Sequence, residues 1–484
     1  MSSLSARALA SALGSWRGIS SAPAYAALAD RIRLLVLDGR LALGARLPAE
    51  RELAAQLSLS RTTISAAYAE LRDSGYLESL RGSGSIVRLP FRGAAPLEAI
   101  APAHLLDFSK ATLPAVPAVA AAAERASALL PAYLGESGFD PIGLRALRQA
   151  LADRFTMRGL PTDADEVMIT VGAQHAIGLL ARTLLSRGDR ALVESPSYPH
   201  ASEALRANGA RLVPVAVTTE DGWDELGLEQ TFQRTSPTLG YLMPDNHNPT
   251  GRSMPVELRE RTIAFAAEQG TTLIADETMG ELGFADLSAD ARPIPPFAAS
   301  AGADTRARLV TVGSVGKTVW GGLRVGWIRA DRELIQRIAR VRYSSDLGTP
   351  VFDQLVVLEL LGDYDPILVD RRAYLRAGRD HLLAALRARL PQWTLPVPEG
   401  GLTLWVNLGA PVSSQLALAA RNEGLVIAAG PRFGMNGVFE RFLRVPFSHP
   451  PELIDRAVEA LAAAWNGVAR HPVVFAQEDL AEVV

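Results

Sequence analysis

The chain carries 49 basic residues, and only two of them, Lys110 and Lys317, are lysine. Arginine stays protonated and cannot form an imine, whereas a lysine in low-polarity surroundings can lose its proton and attack a carbonyl. A lysine kept where arginine serves every generic need is a candidate nucleophile. Lys317 closes the run Gly313-Ser314-Val315-Gly316-Lys317, and Arg324 follows seven residues later in Gly321-Gly322-Leu323-Arg324-Val325-Gly326. Upstream, Thr170-Val171-Gly172-Ala173-Gln174-His175 reads as a strand end that opens a helix, where the free N–H groups of Gly172, Ala173 and Gln174 can hold a phosphate. Glu194 to Pro199 offers the ring of Tyr198 on a loop, Asn246 to Gly251 offers the amide of Asn248 in a turn, and Ala275-Asp276-Glu277 ends an apolar strand with a carboxylate. Lys110 reads as an ordinary surface lysine.

One cofactor gives each of these residue types a task. Pyridoxal 5'-phosphate (PLP) has an aldehyde that needs an amine, a ring nitrogen that needs an anion, and a phosphate that needs cations and hydroxyls. Lys317 supplies the amine for a Schiff base, and Asp276 keeps the ring nitrogen protonated. Asn248 hydrogen-bonds the phenolic oxygen, Tyr198 stacks on the ring, and Ser314 and Arg324 hold the phosphate beside the helix start at Gly172.

The order and spacing of these motifs resemble the fold-type I aminotransferase family from about Asp107 to Pro472, and Gly400-Gly401-Leu402 resembles that family's entry to its small domain. The resemblance implies a homodimer, arranged head to tail, in which Tyr133 reaches the phosphate of the partner subunit. It also implies that Arg444, in Phe442-Leu443-Arg444-Val445, is the fork that grips a ligand carboxylate. Two positions depart from the family. Thr278 and Met279 stand where relatives place a tyrosine that assists the phenolic oxygen, and Gly316 stands where they often have serine. His175 and His200, which flank the proposed site, read as structural.

Alternating helix and strand signals must position these residues. EVMIT (166–170), RALVES (190–195), ARLVPVAV (210–217), LGYLMP (239–244), TTLIADE (271–277) and RLVTVGS (308–314) read as strands separated by helices, which predicts an α/β sheet covered on both faces. A length of 484 residues predicts several domains. The chain has no cysteine, which excludes disulfides, thiolate metal sites and cysteine nucleophiles and fits a cytoplasmic protein. No metal site is expected. No apolar run has the length and purity of a membrane span or secretory signal.

A net charge of -3 leaves nucleic-acid binding to a local patch. Segment 21–90 supplies one, with nine arginines against seven acids. Within it, helix signals at 25–39, 49–57 and 61–75 surround a tight turn at Ser58-Leu59-Ser60, and two short strands flank Arg81-Gly82-Ser83-Gly84. This is the pattern of a helix-turn-helix with a wing. Arg46, Arg51, Arg61, Arg81 and Arg88 fall at helix ends and the wing, where Gly82 marks the tip. Ser60, Thr62 and Thr63 add hydroxyls at the start of the recognition helix.

LPAERELA (47–54), SRTTI (60–64), AYAELRDSGYL (67–77) and RGSGSIV (81–87) are similar to GntR-type regulators, and the joined architecture resembles their MocR subfamily. The expected organisation is a flexible tail (1–20), a winged helix-turn-helix of α+β type (21–89), a linker (90–106), an α/β PLP-binding domain with a smaller C-terminal subdomain (107–472) and a tail (473–484). The expected function is a regulator that binds a double-stranded DNA operator and senses a small amine, an amino acid or PLP. An active aminotransferase with a DNA-binding appendage is the alternative, and a cofactor-free repressor on a degenerate scaffold is a third reading. The departure at Thr278 and Met279 favours sensing over turnover.

Overall fold

The computed structural model describes residues 4–14, 16, 23–37, 41, 44–80, 84–88, 105–284, 294–435 and 437–469. The N-terminal part contains α1 (Ala6–Leu13), α2 (Ala24–Leu37), α3 (Glu50–Leu57), α4 (Arg61–Asp73) and a hairpin of β1 (Leu77–Leu80) and β2 (Gly84–Val87). Ser60 starts α4 because its Oγ accepts the Thr63 N–H at 3.0 Å, satisfying a donor that the first helical turn leaves free. Ile64, Tyr68 and Leu71 then share one buried face of α4, and the Tyr68 hydroxyl donates to the Pro48 carbonyl at 3.0 Å. Residues 81–83 at the hairpin tip, with the expected DNA contacts Arg81 and Gly82, lie outside the described residues, as do most of the expected linker and the C-terminal tail.

One expectation is overturned. Part of the supposed flexible tail is α1, capped by Ser5 and buried through Leu9 and Leu13 in the same core as Leu28, Ile32 and Leu35. Eight residues are too few to hold a helix alone, so the stabilisation comes from packing, although the Ser5 cap, the Leu9 and Leu13 spacing and the stop at Gly14 are local helix signals in the sequence.

The remainder begins with β3 (Leu106–Phe108), α5 (Ala118–Leu129) and α6 (Arg145–Met157). It continues through β4 (Val167–Thr170), α7 (Ala173–Leu184), β5 (Arg190–Ser195), α8 (Pro199–Ala207), β6 (Arg211–Thr218), β7 (Gly222–Trp223), α9 (Glu225–Thr235), β8 (Leu239–Leu242), α10 (Val256–Glu268), β9 (Thr272–Asp276), β10 (Leu309–Ser314) and β11 (Gly326–Arg329). These strands form an eight-stranded sheet in the order β4-β11-β10-β9-β8-β5-β6-β7, with β10, β9, β8, β5 and β6 parallel. Both faces are covered, and the period of two along each strand shows it. Val167 and Ile169 enter one core while Met168 enters the other, and Leu273 and Ala275 oppose Ile274 in the same way.

After α11 (Arg332–Arg342), α12 (Val351–Leu361) and α13 (Tyr364–Arg389), the chain builds β12 (Thr403–Asn407), α14 (Ser413–Asn422), β13 (Leu425–Ala429), β14 (Phe442–Pro446) and α15 (Pro451–Ala469). A second sheet has the order β12-β14-β13-β3, so Leu106, the last residue of the expected linker, already belongs to a strand paired with β13. The parallel strands end where the two sheets face each other. Crevices at such strand ends bind ligands in open α/β sheets.

Candidate functional site

A cavity of 690 Å³ lies between the sheets, and Lys317, Asp276, Asn248, Tyr198, Ser314, Arg324 and Arg444 all line it together with Ala173 and Gln174. The structure thus brings together residues spread over about 270 positions of sequence, from Ala173 to Arg444. Lys317 sits on a helical turn just past β10, and its Nζ donates to the Ala111 carbonyl at 2.6 Å. Burial, helped by the Arg444 charge, pushes its amine down to about 8, so about a tenth of it is neutral at pH 7, far more than for an ordinary lysine. Gly316 is tightly placed: an added Cβ would lie 3.1 Å from Ser314 Oγ, which accepts the Gly316 N–H at 3.0 Å, so a side chain there would require that hydroxyl to shift.

Asp276, the last residue of β9, is 5% exposed. Its Oδ1 accepts the Thr278 N–H at 3.0 Å, and its Oδ2 accepts the Tyr241 hydroxyl at 2.6 Å. Burial raises its carboxyl above the usual range while both donors oppose that rise. Sequence reading missed Tyr241. Its signal was a lone hydroxyl in the apolar run of β8, one strand over from Asp276.

At the other end of the cavity, Gly172 caps α7 with φ +77°, a left-handed conformation that glycine tolerates. A Cβ there would come within 2.9 Å of the Arg324 guanidinium. Arg324 donates to the Val171 carbonyl at 3.1 Å, so cation and helix start share one corner. Gly172 backs this corner without lining the cavity. His175 is structural: Nδ1 accepts the Val171 N–H at 3.0 Å and Nε2 meets Asp346 at 3.0 Å.

Arg444, on β14, is buried, donates to the Ser109 carbonyl and lies 4.7 Å over the Phe433 ring. Its Nε, the Asn248 carboxamide oxygen and the Gln174 Oε1 are buried without a partner. Tyr198 begins α8 beside His200, and burial pushes its phenol up to about 12. Tyr133 is half-buried on the turn Leu130–Tyr133 and does not line this cavity. Lys110 is an exposed ion-pair partner of Asp107 at 2.8 Å, although it too reaches the cavity rim.

On the N-terminal part, Arg46, Arg51, Ser60, Arg61 and Thr62 are exposed and Thr63 is half-buried. Ser60 Oγ also lies 2.7 Å from the hydroxyls of Thr62 and Thr63, and Arg61 approaches Glu50 at 3.8 Å. Among the described residues no helix is long and apolar enough to cross a membrane, and no His, Asp and Glu cluster could hold a metal ion.

Residues 106–461 match the family model for aminotransferase class I and II, and residues 24–87 match that for bacterial regulatory proteins of the gntR family. Over 309 residues the chain is 31% identical to a 2-aminoadipate transaminase of Thermus thermophilus, spanning 63% of this chain and 76% of that protein. Over 448 residues it is 27% identical to the uncharacterized HTH-type transcriptional regulator YdcR of Escherichia coli, spanning 87% of this chain and 94% of that one. Among solved structures, the α-aminoadipate aminotransferase LysN of Thermus thermophilus, complexed with N-(5'-phosphopyridoxyl)-L-leucine, has a TM-score of 0.69 at 29% identity, covering 76% of this chain and 94% of LysN.

Proposed function

Because this chain belongs to the class I and II aminotransferase family and carries a gntR-family helix-turn-helix ahead of that domain, we propose that it is a DNA-binding transcriptional regulator whose second half binds PLP and senses an amino compound or PLP itself. The observation that carries this reading is one cavity holding the Lys317 amine, the Asp276 carboxylate and the Arg444 guanidinium in a chain that also presents exposed arginines on a helix-turn-helix. Similarity to a helix-turn-helix regulator over both parts of the chain supports the same conclusion.

The residues present fit PLP. Three buried polar atoms around the cavity lack a partner, and Gly172 leaves open the space beside Arg324 that a side chain would fill. When bound, PLP supplies an aldehyde carbon for an amine and an electron-withdrawing ring. The Ala173 and Gln174 N–H groups, Arg324 and Ser314 hold the phosphate. Asp276, fixed by Tyr241 and Thr278, keeps a proton on the ring nitrogen, while Asn248 donates to the phenolic oxygen and Tyr198 covers one ring face. Lys317 supplies the nucleophilic amine, and Arg444 binds the carboxylate of an incoming amino acid in a bidentate fork. Tyr133 reaches the phosphate of a partner subunit in a head-to-tail dimer. Arg46, Arg51 and Arg61, with the hydroxyls at the start of α4, contact a duplex operator together with the wing residues Arg81 and Gly82.

The deciding experiment is reconstitution of the purified full chain with PLP. A visible absorbance band that vanishes in Lys317→Ala is expected, and a colourless wild type overturns the cofactor reading. A second reading, an active aminotransferase with a DNA-binding appendage, is favoured by the 31% identity to a transaminase. Steady interconversion of amino and keto acids selects it, and a cofactor-loaded protein without turnover rejects it.

A further inference from the structure

Leu34 is buried, yet it does not belong to the core of the module that carries it. α2 sends Leu28, Ile32 and Leu35 into the cluster shared with Ile64, Tyr68 and Leu71 of α4, and Leu34 lies outside that cluster while only 5% exposed. It faces a cavity that the second half of the chain also lines. Leu34 lines the same cavity as Lys317 and Arg444, along with Ala417 and Leu418 of α14 and Val426 of β13.

Three residues earlier, on the same face of α2, Arg31 makes an ion pair with Glu440 at 2.8 Å and donates through Nε to the Leu13 carbonyl at 2.9 Å. One guanidinium therefore ties α1 and α2 to the second half. Glu440 is itself fixed at the start of α14, where its carboxylate accepts the Ser414 N–H at 3.0 Å and the Ser414 hydroxyl at 2.8 Å. The paired side chains are 10% and 20% exposed, so water screens this contact less than it would a surface pair.

We propose that α2 forms a wall of the ligand pocket and that Leu34 is a specificity-determining residue, packing against the aliphatic side chain of an amino acid whose carboxylate is held at Arg444. The inference rests on the cofactor site described above. Its chemistry follows from this part of the wall: Leu34, Ala417, Leu418 and Val426 offer apolar surface, while Arg421, one turn further along α14, lines the cavity at its exposed edge. The opposite face of α2 packs on the recognition helix, so a ligand that touches Leu34 touches the support of the DNA reader.

Two probes test this on the full-length apoprotein: N-(5'-phosphopyridoxyl)-L-leucine and its glycine counterpart. Leu34→Ala is expected to weaken the leucine compound about five- to tenfold, the effect of removing one or two apolar groups from contact, while the glycine compound changes by less than about twofold. Leu34→Met, which conserves volume, is expected to restore the leucine compound to near its wild-type affinity. Unchanged leucine binding in Leu34→Ala overturns the proposal, as does an equal loss of both compounds in Leu34→Ala together with Leu34→Met. If wild type binds neither compound, the cofactor-site reading fails and takes this inference with it; if it binds both and Leu34→Ala discriminates neither, only the role of Leu34 is lost.

Discussion

Lys317 combines an amine of lowered basicity with a fixed carbonyl partner, and the first has consequences for pH. Its folded value of about 8 lies below the ordinary 10.5. Between those values the unfolded chain holds a proton that the folded chain has lost, so this group makes stability rise with pH across that window. Below about 8 both states are protonated, and burial of the cation is a constant cost. The rate at which apoprotein develops its PLP absorbance should therefore rise as pH approaches 8 and level off above it. A flat profile from pH 6 to 9 would show that the amine titrates elsewhere. Tyr241 makes a different kind of contribution. In Tyr241→Phe the buried Asp276 Oδ2 loses its 2.6 Å donor, which costs about 1 to 3 kcal/mol and raises the Asp276 carboxyl further. A fall in the unfolding midpoint together with weaker PLP retention is expected; an unchanged midpoint would mean that water replaces the hydroxyl.

Short elements depend on their neighbours. α1 exists because Leu9 and Leu13 are both wholly buried against α2 and the rest of the N-terminal core. Leu9→Ala should cost about 2 to 3 kcal/mol, the lower part of the range for a buried leucine because the site is near a terminus. Faster hydrogen exchange in α1 and α2, with α7 and α10 unaffected, is the expected signature; uniform exchange across the chain would show that α1 contributes nothing local. α4 is more autonomous, since its cap, its buried stripe and its stop at Ser74 are consecutive in sequence. The start of α7 is intermediate: Gly172 sets the turn, while Arg324 arrives from 152 residues away to share it.

For the whole molecule, the head-to-tail homodimer proposed above brings two DNA readers to one operator. A dimer in sedimentation, protecting two half-sites in footprinting at separations set by the linkers, is the expected outcome. A monomer that protects a single half-site would remove the role assigned to Tyr133. Net charge gives no long-range help, because the chain as a whole is at -3, so operator affinity should come from the local arginines and fall steeply with salt.

The sequence by itself determined six strands of the larger sheet, the helix-turn-helix and most chemical types. The strands ending at Thr170, Ser195, Asp276 and Ser314 follow from apolar runs bounded by glycine and polar residues, and the Lys317 and Arg324 spacing is a local pattern. The capped recognition helix is equally local, because Ser60 and Thr63 are three residues apart. Tertiary structure alone decided that Tyr241 holds Asp276, that Arg324 joins the helix start at Gly172, and that α1 is buried against α2. It also decided that Leu34 and Arg31 face the second half of the chain rather than their own core. Those facts depend on contacts between segments distant in sequence or adjacent only across a sheet. Helical and strand periodicities record which side of an element is buried, but they carry no record of what buries it.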